Sequence, residues 1–552
     1  GKISFFISWD KKYAEGYPTN FYVKTASDGE GDLVVTGWQK TKTSKGADAY
    51  LIGHKGDNYY NQDQYFGKIK WNISEETNLS FSCNLSSHIY GYRNPQSYLV
   101  DSAGNPVNSG SVTIIDNGVS KRISVSSYSL IQGPGSGFRN SYKIRFNTSI
   151  RNIKLSSNAG IVDDYTWYIT SSSGANEDGG PGKRNITYPK RAYLFNIQGD
   201  IPIRKHTLTL GADYRLNSAE GEEWGLSDWQ DEDSKTTLNT SMEGKQQILA
   251  GFAQLELVLH DKVKAYLGAR YDHWKNFEGE SYDAGEDTLI TYEEYTNSYV
   301  SPKIAVVYTP KMKSNIWKIN SIRISAGNAF RPPTLYNMYK TWYYYGTFYE
   351  SNPDLKPEVT KSWEIGIEQS LFGYKTRINT DYYQSYITNL IYNNLVEDGH
   401  KKYENAGKGE IKGIEAEIKQ YVTAWLDAYF NITYQETEIT ENEADSTTIG
   451  KQFTTVPRLM YNAGCLFHYK KVNAGIYYHF AEKEYGSDDN SDRETGVYGA
   501  HDEMSLLDAK ISYQLIKNMS ISLSINNILD KEYYVYYKAP GRTFTINLSA
   551  KF

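Results

Sequence analysis

Three sets of side chains in this chain could do chemistry. The largest is aromatic. Tyr339, Trp342, Tyr343, Tyr344, Tyr345, Phe348 and Tyr349 crowd one short stretch. Tyr533, Tyr534, Tyr536 and Tyr537 form a second group beside Lys538 and Arg542, and Tyr90, Tyr92 and Arg93 a third. Tyrosine joins a stacking face to a hydroxyl, which suits aromatic or catecholate-like ligands. A neighbouring Arg or Lys suits an anionic chelate. The same rings can also pack a loop onto its neighbours or mark a membrane interface, and their spacing leaves those uses open. The second set is acidic: Asp231-Glu232-Asp233 and Ser487-Asp488-Asp489 read as solvated loop tips or as calcium ligands. The third is histidine. His88, His273, His400 and His501 carry imidazoles able to bind iron, or serve as ordinary rim residues. Enzyme signatures fail on inspection. Gly133-Pro134-Gly135-Ser136-Gly137 lacks the spacing of a nucleophile elbow, and Gly179-Gly180-Pro181-Gly182-Lys183-Arg184 lacks that of a phosphate-binding loop. No catalytic residue is assigned.

Strands must carry these groups. From Thr543 to Phe552 one parity holds Phe544, Ile546, Leu548, Ala550 and Phe552, and the other holds Thr543, Thr545, Asn547, Ser549 and Lys551. Such alternation matches a tilted strand crossing a bilayer with one face to lipid and one to a polar lumen. Met519–Asn526, Leu426–Thr433 and Leu79–Leu85 repeat it, the last placing Cys83 toward lipid. The connections alternate in length. Arg151-Asn152, Phe372-Gly373 and Lys470-Lys471 are short, whereas residues 88–141, 217–245, 275–297 and 330–360 are long and rich in Gly, Asp, Asn and Tyr. Strands placed this way number twenty-two, beginning 2–10, 32–41, 47–55 and 65–73 and ending 501–515, 518–527 and 543–552. An even number returns both ends to one side. The expected fold is therefore all-β: a 22-stranded antiparallel transmembrane barrel with short periplasmic turns and long extracellular loops, and no internal domain boundary over 1–552.

Composition agrees. The chain has 552 residues with 50 Tyr and 45 Gly but only 2 Cys. Mean hydropathy is -0.62, and no apolar run is long enough for a helical span. A net charge of -6 without a basic stripe argues against a nucleic-acid partner.

The order of three segments resembles a known family. Gly327-Asn328-Ala329-Phe330-Arg331-Pro332-Pro333-Thr334-Leu335, then Asn352-Pro353-Asp354-Leu355-Lys356-Pro357-Glu358, then Asn526-Asn527-Ile528-Leu529-Asp530-Lys531-Glu532-Tyr533 look like segments of TonB-dependent outer-membrane receptors. Phe552 resembles the aromatic terminus that serves such barrels as an insertion signal. The resemblance covers the whole chain as the barrel portion. It implies a Gram-negative outer membrane, contact with lipid and lipopolysaccharide, and uptake of a bulky scarce solute: an iron–siderophore, cobalamin or haem, whose iron or cobalt is cargo rather than a resident cofactor. It also implies a plug domain coupled to the TonB complex, which strand one at Gly1 leaves to be supplied elsewhere, and it admits a surface lipoprotein as partner. Haem receptors of this family often hold a His between the first two segments; residues 334–351 contain none. On this resemblance Tyr339, Trp342, Tyr343, Tyr344, Tyr345, Tyr349, Tyr534, Tyr536, Tyr90 and Arg93 are the expected ligand contacts of the outer loops. Arg331 is expected to pair with a carboxylate of wall or plug. A passive diffusion channel, which normally has fewer strands, and an outer-membrane hydrolase are the competing functions.

Overall fold

The computed structural model of the chain describes residues 2–188, 191–344, 347–397 and 399–550. Alternation decides its architecture. In the strand Thr543–Ala550, Phe544, Ile546 and Leu548 are exposed, and they pair with Ile525, Leu523 and Ile521 of Met519–Asn526. Apolar residues thus stand opposite apolar ones on one face, because side chains repeat every two residues and the register holds that parity across the pair. At the other end of the chain, Phe5 and Ile3 of Ile3–Ala14 face Ile69 and Trp71 of Asp57–Asn72 on the same outer surface. Cys83 lies on that surface with Phe81, as its parity requires. Each long strand pairs antiparallel with the next, in one sheet of 24 strands among the described residues. Four of these, Gly182–Tyr188, Thr288–Tyr292, Trp342–Tyr344 and Thr347–Glu350, are short extensions, leaving twenty long strands as the wall. At one end the strands join by tight turns with left-handed backbone at Arg151 (φ 55°) and Lys470 (φ 51°).

Two of the twenty-two expected strands do not enter the wall. Within 32–41, Leu33–Val34 pairs with Gly110–Asp116. Asp48–His54, from the expected strand 47–55, pairs with Phe21–Lys24 and Gln39–Lys42. These pieces belong to a separate β module built from the chain between Ala14 and Asp57 together with the chain between Arg93 and Gly135. Its core is Val35, Tyr50, Ile52, Leu99, Val112, Ile114 and Ile123. The absence of an internal boundary is therefore corrected. A short strand with one apolar parity looks the same whether that parity meets lipid or a protein core. Because both strands leave together, the even number survives.

Other differences have equally physical origins. Residues 217–245 and 275–297, expected as loops, are largely strand, since His206–Leu226, Lys235–His260 and Val263–Asp283 run well past the length a bilayer needs. Closure of the last strand on the first is not seen. Among the described residues Ile3–Ala14 pairs only with Asp57–Asn72, and Thr543–Ala550 only with Met519–Asn526. The module touches the loop that precedes the last strand, where the Tyr17 hydroxyl donates to Lys538 O at 3.4 Å, and the connection between Ala481 and Met504. The Tyr498 hydroxyl donates to Asn20 at 2.8 Å, and Lys42 meets Glu494 at 3.0 Å.

Candidate ligand vestibule at the mouth of the barrel

Strand registers bring a line of side chains directly across from one another towards the end with the long hairpins. Tyr60 stands opposite Tyr90, Tyr90 opposite Gly135, and Gly135 opposite Tyr168. Tyr168 pairs with Asn185, Asn185 with Glu223, Glu223 with Thr240 and Thr240 with Asp283. Directly paired residues share a face. Lower in the same strands that face carries Ser80, Ser82, Lys143, Arg145, Ser156 and Asn158, so it is the lumenal one. The row is thus an inward-facing belt, aromatic at one end and charged at the other.

His88 deepens the aromatic end. Its ring stacks between Tyr60 and Tyr90, with centroids 6.1 and 6.4 Å away and planes tilted by 20° and 11°. Gly135 makes room for these rings, since a Cβ there would lie 2.4 Å from Tyr90 Cζ. At the charged end Lys183 Nζ meets Glu223 at 2.7 Å, and Asn239 Nδ2 donates to the same carboxylate oxygen at 3.2 Å.

The segment from Arg331 to Glu358 lies against the inner side of this belt. Arg331 pairs with Glu358, a wall carboxylate, as expected. Pro333 accepts a hydrogen bond from buried Gln246 at 3.1 Å. Thr334 caps the short helix Leu335–Tyr339 by accepting from Asn337 N at 3.1 Å. Leu335, Met338 and Tyr339 then pack on Met242, Trp274 and Leu355. The second motif closes the segment. Asn352 Nδ2 donates to Tyr403 O at 2.7 Å, Asp354 N donates to Asn352 Oδ1 at 3.0 Å, and Asn405 receives Lys356 N at 2.7 Å. Phe330 contacts Tyr299 at 5.0 Å, and Pro332 and Pro353 sit within the same two motifs. Both motifs therefore act as fasteners. The helix is left with one buried tyrosine and one free. Tyr336 is 45% exposed, and it lies within electrostatic reach of Tyr168, Tyr403 and Glu223. Burial of part of its ring pushes its hydroxyl upward from the ordinary tyrosine range.

The expected contacts fall into four places. Tyr90 is in the belt. Tyr343 is exposed and reaches its charged end, within electrostatic reach of Asp283. Trp342 and Tyr349 stack on each other at 4.1 Å and 14°. Tyr339 is a core residue, 1% exposed, its hydroxyl pushed up to about 12 by burial. That corrects its expected role: its ring fills the space beside Gly244 and Gly279. Arg93 stands apart from the belt. Its guanidinium lies over Tyr59 at 4.2 Å, on the parity opposite to Tyr90. Tyr534 and Tyr536 belong to a second cluster, in which Tyr536 contacts Tyr498 at 5.5 Å and Tyr537 at 4.9 Å. That cluster adjoins the belt through a cavity of about 300 Å³ lined by Tyr17, Asn58, Tyr92, Tyr537 and Lys538. The side chain of Tyr344 and all of Tyr345 and Phe552 lie outside the described residues. Sequence reasoning missed Tyr168, Tyr336, Tyr403 and Lys340. Tyr168 alone carried a signal, as the aromatic that ends an inward polar parity.

The acidic runs are engaged by the protein itself. Glu232 pairs with Arg184 at 2.8 Å, and Asp489 accepts the Ser487 hydroxyl at 2.6 Å. Among the described residues no group of His, Cys, Asp and Glu is arranged to hold a metal ion.

Known proteins agree with this architecture. Residues 117–528 match the family model for the β-barrel of TonB-dependent receptors. The vitamin B12 transporter BtuB of Vibrio cholerae serotype O1 is 29% identical over 242 residues, which is 42% of this chain and 34% of that protein. The chain thus spans about a third of the curated relatives it matches. Among solved structures, the ferric yersiniabactin uptake receptor FyuA of Yersinia pestis aligns with a TM-score of 0.65 at 14% identity, covering 100% of this chain and 78% of that one. The copper transporter OprC aligns at 0.66 and 13% identity, covering 100% and 81%. The ferripyoverdine receptor of Pseudomonas aeruginosa aligns at 0.61 and 14% identity, covering 98% and 72%. A wall of alternating antiparallel strands, the two fastening motifs and a family match over three quarters of its length lead to one conclusion: the chain belongs to the TonB-dependent receptor β-barrel family.

Proposed function

We propose that this chain is the barrel of an outer-membrane receptor that captures a bulky, scarce solute of the siderophore or cobalamin class for energy-coupled uptake. The observation that carries the proposal is the inward belt at the mouth, where Tyr60, Tyr90 and Tyr168 stand on the lumenal face with His88 stacked between the first two, and where Tyr168 and Tyr336 are exposed. Exposed ring faces concentrated at a pore entrance suit a large ligand that needs stacking area and hydroxyl contacts. Energy enters through the TonB complex acting on a plug that fills the lumen, and the outer apolar face meets lipid and lipopolysaccharide. BtuB and FyuA, whose names record vitamin B12 and ferric yersiniabactin as cargo, support the solute class.

The test is uptake by cells lacking other receptors for these solutes and expressing the intact receptor. Replacing Tyr336 and Tyr168 together by Ala should lower uptake ~30-fold, since two ring contacts of about 1 kcal/mol each are lost. Surface display of the barrel should not change. Unaltered uptake in the double variant would remove the belt from the binding site.

A further inference from the structure

Lys340 is the buried cation of the vestibule. It follows the helix Leu335–Tyr339 with 8% of its surface exposed, and its ammonium donates to Thr240 Oγ1 at 3.2 Å. Thr240 is the belt residue paired with Glu223. Glu223 lies within electrostatic reach of Lys340, yet its carboxylate is taken up by Lys183 and Asn239. Among the described residues no carboxylate stands at salt-bridge distance from Lys340, so two ammonium groups share one counter-charge. Taking a cation out of water without a full partner is costly. Burial drives the Lys340 pKa down accordingly, with Glu223 opposing that shift and Lys183 adding to it. The next residue repeats the deficit, since Thr341 is 7% exposed and its hydroxyl oxygen is buried with no partner among the described residues. On the turn before Lys340, Tyr336 offers its exposed ring.

We propose that Lys340, backed by Lys183, is the specificity residue that takes an anionic oxygen of the solute, so that the receptor selects an anionic chelate over a neutral one. The inference rests on the uptake function and narrows it. The body of the solute stacks on Tyr336 and Tyr168, and a projecting phenolate or carboxylate oxygen supplies the counter-charge that Glu223 cannot give to both lysines. A lysine so enclosed presents its charge at short range only, which favours one directed contact over diffuse attraction.

Calorimetry on the full chain in detergent micelles tests this with three probes: an iron(III) tris-catecholate, iron(III) citrate and cyanocobalamin. We expect at least one anionic iron chelate to bind, and Lys340→Met to weaken it ~10-fold or more, as loss of a charge-assisted contact does. Lys340→Arg should stay within ~3-fold of the parent by keeping the charge. Which iron chelate binds tells phenolate from carboxylate. Equal affinity in Lys340→Met, or failure of both iron chelates to bind, overturns the inference. Should Lys340→Met not assemble, Lys183→Gln decides, because that side chain is partly exposed; an unchanged affinity there is equally fatal. Cellular uptake separates the two claims. Cells that import cyanocobalamin alone retain the uptake function and lose the charge preference, whereas cells expressing the intact receptor that import none of the three lose both.

Discussion

Gly135 shows how single residues shape the vestibule. It pairs with Tyr90 on one side and Tyr168 on the other, and the missing Cβ is the space the Tyr90 ring needs. Gly135→Val should push Tyr90 away from His88 and lower solute binding by ~3–10-fold, because one stacked pair is worth about 0.5–1.5 kcal/mol. Calorimetry on the inserted barrel checks this, and parent-like affinity would mean that the ring is not a contact. Leu355 makes a different point. It is 1% exposed against Met338 and Tyr339, so Leu355→Ala should cost about 2–5 kcal/mol of local packing. The consequence should be local: faster hydrogen exchange across 335–357, with the wall strands still protected. Protection unchanged in that segment would refute the fastening role of the second motif. At this scale the sequence told part of the story. Tyr90 stood out at the opening of a long loop, and Tyr343 as part of the aromatic run 339–349. Tyr336 did not, because it sits four residues before Lys340 in a helix of one turn and a half, where facing depends on which side packs. Tyr168 meets Tyr90 only through Gly135, across two strand registers that no local pattern reveals.

Strands were the legible elements, because lipid on one side and a polar lumen on the other impose the same period-two pattern on every wall strand. The carboxylates of Glu364, Glu368, Glu415 and Glu417 fall on the lumenal parity for this reason; Glu364 accepts from Ser325, and Glu415 faces Asp381 across the strand pair. The pattern also makes a sharp test. In Thr543–Ala550, Ile546 faces outward, and its neighbour Asn547 faces inward opposite Ser522. Ile546→Lys should cost about 2–4 kcal/mol near the bilayer midplane, whereas Asn547→Lys should be nearly neutral. Equilibrium folding into vesicles measures both, and similar costs for the two would contradict the assigned faces. Elements outside the wall were less legible. Asp48–His54 resembles a wall strand because Tyr50 and Ile52 share one parity just as a lipid-facing set does. What distinguishes it is the partner. Its apolar parity is covered by Val112, Ile114 and Ile123, which lie some sixty residues further along the chain. That pairing is non-local, so period and composition could not supply it.

At the scale of the molecule, two kinds of stability coexist. The wall is held by its ladder of strand pairs, with its apolar parity turned to lipid. The external module instead has a protein core of its own, with Tyr50 at its centre, 1% exposed. The Tyr50 hydroxyl donates to Asp116 at 2.8 Å, and that carboxylate is also held by Lys40 at 2.8 Å and Lys121 at 3.6 Å. Tyr50→Ala removes the ring and leaves Asp116 short of one donor, a loss of about 3–5 kcal/mol for a buried aromatic. A module of this size has little stability to spare, so it should unfold as a unit, with exchange protection lost over 21–54 and 110–125 and kept in the wall. The module also reaches the loop before the last strand through Tyr17 with Lys538, and the connection between Ala481 and Met504 through Asn20 with Tyr498 and Lys42 with Glu494. Each such contact is small alone, but unfolding the module releases them together. Heating should therefore open the Tyr50→Ala barrel at a lower temperature than the parent, read as the shift from compact to extended mobility on a denaturing gel. If the module loses its protection and the opening temperature does not move, the module is a passenger on the wall. If both change, the module is what keeps the first and last strands together at the mouth.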